Sequence, residues 1–275
     1  MSRICWRLVD VVSRLLEPNE RDAVRGDFAE SGVTGGRALF DLIGLAARRQ
    51  TARWRDWRPW LALLGIASLY LILIWAPEER TRGDVQRIFY FHVPSAYTAF
   101  VAFCIGGIAS VRYLIRRDFR YDDLSVAANE VGLVFAIANL VTGMLWAKAM
   151  WGNYWVWDAR LTTMLLLALI YAGYLILRRG ISEPRWRAAV CAGVSIVGIV
   201  DIPIVYMANR WWRTQHPSPI IFGGQDSGLD PRMTFVLLFT LMSMLFLSFY
   251  WIRTRRRLRQ VRRGVDSLYH SAHTL

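Results

Sequence analysis

Two histidines in this sequence are flanked by rings. His92 lies in "RIFYFHVPSA", between aromatic residues and Pro94, and His216 lies in "RWWRTQHPSP", after Trp211 and Trp212 and before Pro217. A neutral imidazole offers a nitrogen lone pair, and two imidazoles on the same side of a membrane can supply two axial nitrogens to one iron. Each is equally readable as an ordinary histidine at an aromatic-rich boundary, so their residue types alone leave the two readings open. The remaining histidines, His270 and His273, stand three apart in a polar tail and read as solvated.

A second concentration of rings lies between them in the chain. "WAKAMWGNYWVWDAR", residues 146–160, holds Trp146, Trp151, Trp155 and Trp157 with Tyr154, and ends in Asp158 and Arg160. Trp and Tyr gather at membrane boundaries because the ring is apolar and its N–H or O–H is polar. That accounts for Trp60, Trp75 and Trp251 at the ends of apolar runs. It accounts less well for the density of "WGNYWVWD", or for Gly152 and Asp158 among the rings. A flat aromatic ligand does need such a surface, because rings give large contact area at low entropy cost and stacked pairs add about 0.5–1.5 kcal/mol beyond burial. Asp158 and Arg160 are placed to pair with each other, or Arg160 to meet a ligand carboxylate. Anchoring and ligand binding both remain open at this point.

Six elements must position these residues. About 20 apolar residues cross a bilayer as a helix, and six runs qualify: 60–76, 94–115, 124–147, 161–177, 188–208 and 233–252. Open-edged strands cannot satisfy their backbone groups in lipid. The expected class is therefore all-α, a polytopic integral membrane protein with six transmembrane helices. The formal net charge is +13, with Lys148 the single lysine. Twenty arginines near the spans fall on one side, in 48–58, 112–120, 178–187 and 253–263, against eight basic residues on the other. The positive-inside rule places the larger set, and with it both termini, in the cytoplasm. Charge is thus explained by topology and by attraction to anionic lipid, and nucleic acid is not an expected partner. The same rule puts His92, the Trp-rich stretch and His216 in three outward connections.

Other chemistries find no footing. Cys5, Cys104 and Cys191 form no CxxC motif. No P-loop, GxSxG or HExxH pattern occurs, and no hydrolase triad. No secretory signal peptide is evident, because Arg7, Asp10 and Arg14 interrupt the first apolar stretch. Glu130 and Asn139 in the third span and Asp201 in the fifth should face the bundle interior, since charge in the bilayer is costly. Helix packing is their expected role, with Asn139 and Asp201 also near enough to the outer side to support a site there. Residues 1–59 read as a small cytosolic helical extension or an interfacial helix pair. It has a helical stripe of Ile4, Leu8, Val11, Val12 and Leu15 before Pro18, and a second short helix over 38–49. Residues 253–275 read as a basic cytoplasmic tail.

Three segments, "RIFYFHVPSAY", "TGMLWAKAMWGNYWVWDARLTTMLLL" and "DIPIVYMANRWWRTQH", resemble the CcmC family, haem-handling proteins of bacterial cytochrome c maturation within the wider group marked by a Trp-rich WWD loop. The resemblance covers roughly residues 60–252, with the segments in the family's order. It implies a multi-pass protein of the bacterial inner membrane that holds b-type, non-covalently bound haem at the outer, periplasmic face. His92 and His216 would be the axial ligands. Trp146, Trp151, Gly152, Tyr154, Trp155, Trp157, Asp158 and Arg160, with Trp211 and Trp212, would form the haem-binding surface. The implied partners are the haem chaperone CcmE, the ABC components CcmA and CcmB, and the small subunit CcmD. The implied role is delivery of haem, not an enzymatic formation of thioether bonds. A membrane haem b redox protein and a permease for haem or another solute are the competing roles. Redox proteins of that kind bury paired histidines within spans, and transporters show repeats and broken helices near the midplane; neither pattern is evident. This chain departs from the family in having Ala147 and Ala149 where a Gly and a Pro are usual, and Tyr154 where a Trp is usual. The extension of residues 1–59 lies outside the family pattern and resembles prefix segments of some bacterial permeases.

Overall fold

The apolar runs all become helices, and the helices overrun them. A computed structural model describes the chain apart from residues 1, 15, 17, 55, 56, 218–228, 274 and 275. Two units are distinguished, Met1–Leu63 and Leu64–Leu275.

The first unit contains α1 (Ser2–Ser13), α2 (Pro18–Glu30) and α3 (Gly35–Trp54). Pro18 opens α2, where its fixed φ suits the first helical position and its missing N–H costs nothing. Val9, Leu16, Ala38 and Leu42 form the core, with Val12, Val24 and Phe28 against it. The expected stripe of α1 is thereby split. Val12 packs inward, while Leu8 and Val11 are exposed, because α3 covers the face that carries Val9 and not the one that carries Leu8. Leu15 lies outside the described residues, as do the side chains of Ile4, His270 and His273.

Helix α4 (Trp57–Tyr70) begins in the first unit and enters the second, where it continues as a π turn over Leu71–Trp75. The second unit then runs through a 3-10 turn (Asp84–Ile88), α5 (Phe89–Arg116), α6 (Phe119–Trp151), α7 (Ala159–Gly180), α8 (Pro184–Trp211) and α9 (Pro231–His273). Six helical segments are long and apolar enough to cross a membrane: Trp57–Trp75, Asp84–Arg116, Phe119–Trp151, Ala159–Gly180, Pro184–Trp211 and Pro231–Asp266. Caps fix several of their starts. Asp118, Asp158 and Glu183 accept backbone N–H groups at the heads of α6, α7 and α8, each satisfying donors that a helix start leaves unpaired.

Helices α5 and α6 are joined by Arg117 and Asp118 alone and lie antiparallel in the most extensive pairing of the bundle. Ala99, Ala102, Ala127, Ala128 and Ala136 are buried between them and their neighbours, and such small residues let helix backbones approach closely in lipid. Phe103 stacks on Tyr171 of α7 with ring centroids 3.6 Å apart. At the end where α5 meets α6, a charged cluster locks α6, α7 and α9 together. Asp122 takes Arg178 in a two-pronged pair, Arg263 reaches Asp123 at 2.5 Å, and Arg255 reaches Glu130 at 2.7 Å. Glu130 thus has arginine partners on α9. Residues 253–263 carry on the helix instead of forming a separate tail. His92, Asn139, Arg160 and Asn209 all belong to the opposite end of the bundle.

Candidate functional site

His92 is the fourth residue of α5, not part of a connection, and Pro94 two residues later lies within the first turns of the same helix. The helix therefore fixes its backbone. The His92 Nδ1–H donates to the carbonyl of Asn139 at 3.0 Å and lies 3.3 Å from Thr142 Oγ1, both on α6. The Asn139 carboxamide donates in return to the His92 carbonyl at 2.9 Å. Asn139 thus braces His92 from α6. The ring lies directly on Gly143: a Cβ there would come within 2.9 Å of His92 Cε1. Neither Thr142 nor Gly143 has a sequence signal that marks it, since their roles exist only once α5 and α6 are antiparallel.

His216 lies beyond the end of α8, and its Nδ1–H donates to the Pro217 carbonyl at 2.9 Å. The two imidazole centroids are 6.1 Å apart, with ring planes inclined by 34°. Imidazoles on opposite faces of one metal ion, at metal–nitrogen distances of about 2 Å, have centroids roughly 6 Å apart. The Asn139 amide nitrogen also lies 3.1 Å from His92 Nδ1 and 3.5 Å from its Nε2; the tautomer with Nδ1–H on each carbonyl leaves each Nε2 as the lone-pair nitrogen. A carbonyl behind a ligating histidine is the usual way to fix that tautomer. Burial, then the charge of Arg160 and the neighbouring His92, push His216 down to about 3. Its imidazole is neutral and able to ligate throughout the physiological range.

The histidines face a cleft of about 1140 Å³, open solvent at its mouth included, whose walls come from α5 to α8 and are mainly apolar. Trp146, Trp151, Trp155 and Arg160 line it, as do Arg82 and Gln86 from the segment before α5. Trp146 and Trp151 meet edge to face at 5.3 Å, and Trp155 and Trp157 at 5.5 Å. The Trp155 indole N–H is buried and has no partner among the described residues. Arg160 does not pair with Asp158. Its Nη1 donates to Asn209 Oδ1 at 3.2 Å and lies 3.5 Å from the carbonyls of Val205 and Tyr206. Among the described residues neither Arg82 nor Arg160 forms an ion pair.

The other candidates serve the loop or face outward. Half of the Trp-rich stretch is the last part of α6, which ends at Trp151. Gly152 terminates it with φ of 77°, a left-handed conformation that glycine adopts without strain. Lys148 Nζ donates to the Gly152 carbonyl at 2.8 Å and lies over the Tyr154 ring at 5.3 Å. Asp158 accepts the Leu161 N–H at 2.8 Å and caps α7. Trp157 is 78% exposed and lines only a shallow surface depression with Asp158 and Arg213. Tyr154, Trp211 and Trp212 are each about half exposed and do not line the cleft. Asp201 is buried and not among the lining residues.

Among the described residues no group of three or more His, Cys, Asp or Glu side chains is placed to hold a bare metal ion. The two imidazoles stand 6.1 Å apart at the wall of an apolar cleft. The profile of the family described as Heme exporter protein C matches residues 45–270. Heme exporter protein C of Bradyrhizobium diazoefficiens is 34% identical over 218 residues, covering 76% of this chain and 81% of its own. Its namesake from Escherichia coli K12 is 33% identical over 195 residues, 69% of this chain and 78% of its own. A putative cytochrome c biosynthesis ccmC-like mitochondrial protein of Marchantia polymorpha is 33% identical over 190 residues, 69% of this chain and 81% of its own.

Proposed function

The chain belongs to the Heme exporter protein C family, and from that premise we propose that the cleft holds haem between His92 and His216 and surrenders it to a CcmE-type chaperone. The coarser role, haem handling for cytochrome c maturation by a multi-pass membrane protein, follows from the family and the six apolar helices. The observation that carries the finer reading is the 6.1 Å facing pair of imidazoles with both Nδ1 atoms committed to carbonyls. Haem is the cargo and is held without a covalent bond. Trp146, Trp151 and Trp155 supply flat apolar contact. Arg82, Arg160 and the buried Trp155 N–H supply donors for its carboxylates. Trp157, Trp211, Trp212 and Tyr154 form the outward rim, where a partner or the lipid headgroups would meet the protein.

The sidedness is part of the proposal. The charge rule puts the arginine-rich end and both termini in the cytoplasm and the cleft at the periplasmic face of the inner membrane. CcmA, CcmB and CcmD are the expected complex. A site at the membrane surface lets the chaperone reach the haem edge, and no chemical step on the finished cytochrome is assigned to this chain.

The test is the visible spectrum of the purified protein loaded with ferric haem. A low-spin, six-coordinate spectrum is expected, replaced by a five-coordinate one in His92→Ala and in His216→Ala. Spectra unchanged in both variants would refute the ligand assignment. Association with the chaperone only when haem is bound would separate delivery from a redox role, which needs no such partner.

A further inference from the structure

The two imidazoles are mounted differently. His92 stands on α5 and its Nδ1–H is held by α6, so ring and support are both parts of the helix bundle. His216 has its Nδ1–H on the carbonyl of its own neighbour, Pro217. That bond fixes the tautomer but travels with the segment and ties it to nothing. Thr214 Oγ1, at 3.4 Å from the His216 carbonyl, is likewise internal to the segment.

The side chain that ties this segment to the bundle is Asn209, in the last turn of α8. Its Nδ2 donates to the His216 carbonyl at 3.1 Å and to the Pro217 carbonyl at 2.7 Å. Its Oδ1 accepts from Arg160 Nη1, on α7, at 3.2 Å. Both amide hydrogens and the amide oxygen are thereby used. The chain of contacts runs from α7 through one carboxamide to the backbone on either side of the imidazole.

We infer that Asn209 is a latch: it is the positioning residue that holds His216 in the cleft, and His216 is the ligand that lets go while His92 stays. This rests on the proposed reading of the cleft as a haem site. The physical reason lies in what each departure requires. Moving His92 off the iron means unpacking α5 from α6, whereas among the described residues the side-chain hydrogen bonds that tie His216 to the helices are those of Asn209 alone. A carrier that must bind firmly and then release needs one ligand of each kind. Asn209 itself is uncharged, so its bonds yield to a competitor for the backbone carbonyls.

The experiment loads the full-length protein with ferric haem and compares Asn209→Ala and Asn209→Leu with His216→Ala. Both Asn209 variants should show a five-coordinate fraction matching that of His216→Ala, converted to six-coordinate by added imidazole. They should lose haem to apomyoglobin roughly 10–100-fold faster, the usual range for removing an outer partner of a metal ligand. Asn209→Ala combined with His216→Ala should add little to His216→Ala alone. In haem-free protein, amide exchange over residues 212–217 should rise in both Asn209 variants. Low-spin spectra and unchanged exchange in both Asn209 variants would overturn the latch. If His92→Ala and His216→Ala are both spectrally silent, it is the haem-site reading that fails; a rise in amide exchange alone would then mark Asn209 as a structural tie only and overturn its role in release.

Discussion

At the scale of single residues, the site depends on atoms that have no chemistry of their own. Gly143 is the clearest case. A methyl group there would meet His92 Cε1 at 2.9 Å, so Gly143→Ala must displace the ring. Haem affinity should fall roughly 10–100-fold, the effect expected of a disturbed ligand support, while Gly173→Ala, with open space around it, should bind normally. Equal affinities in a haemin titration would show that the ring can shift without loss. The two tryptophans of one pair should also separate. Trp155 lines the cleft and Trp157 is 78% exposed, so haem retention after gel filtration should drop in Trp155→Ala and change little in Trp157→Ala. His216 makes a pH prediction. Its folded value, pushed down to about 3, lies below the value near 6.5 of a free imidazole. Above pH 6.5 neither the closed nor the open segment takes a proton there. As pH falls through 6.5 towards 3, the open form gains a proton that the closed form refuses, so acid favours opening. In the haem-free protein the His216 ring should therefore stay neutral down to pH 5, and a His216 ring resonance titrating near 6.5 would contradict this.

At the scale of elements, the loop between α6 and α7 is shaped by its two ends more than by its rings. Gly152 stops α6 and Asp158 starts α7, leaving a short connection in which Trp155 is turned towards the cleft. The Asp158 carboxylate caps the helix that carries Arg160, so its loss should be felt in stability. Asp158→Ala should lower stability by about 1 kcal/mol, as lost caps do, while Asp158→Asn keeps an accepting oxygen and should cost a few tenths at most. Thermal unfolding in detergent compares the two. Equal and large losses would mean that the negative charge, not the cap, is what matters.

At the scale of the whole membrane unit, the proposed site and the buried ion pairs sit at opposite ends. Asp122 and Gly143 are separated along α6 by about 30 Å at 1.5 Å per residue. Asp122 and Arg178 pair with side chains only 5% and 9% exposed. Breaking a buried pair from one side costs about 3–5 kcal/mol because the remaining charge is stranded. Asp122→Ala should therefore unfold at a markedly lower temperature, yet the protein that remains folded should keep the low-spin haem spectrum. A changed spectrum in folded Asp122→Ala would mean that the two ends are coupled through α6.

The sequence by itself determined the class and the ingredients. Apolar runs of span length can only be helices in lipid. The two ring-flanked histidines and the Trp-rich stretch stood out by type and density, and with the family segments they pointed to haem. Tertiary structure decided which of those residues meet. His92 and His216 are 124 positions apart in the chain, yet their rings are 6.1 Å apart. Aromatic density could not separate Trp146, Trp151 and Trp155, which line the cleft, from Trp157, Trp211 and Trp212, which face away, because that choice is made by where α6 ends and how α8 turns. Thr142, Gly143 and Asn209 carried no signal for a similar reason. A hydroxyl, a missing side chain and an amide acquire a role only from what the neighbouring helix sets against them, and helix packing is not written in local spacing.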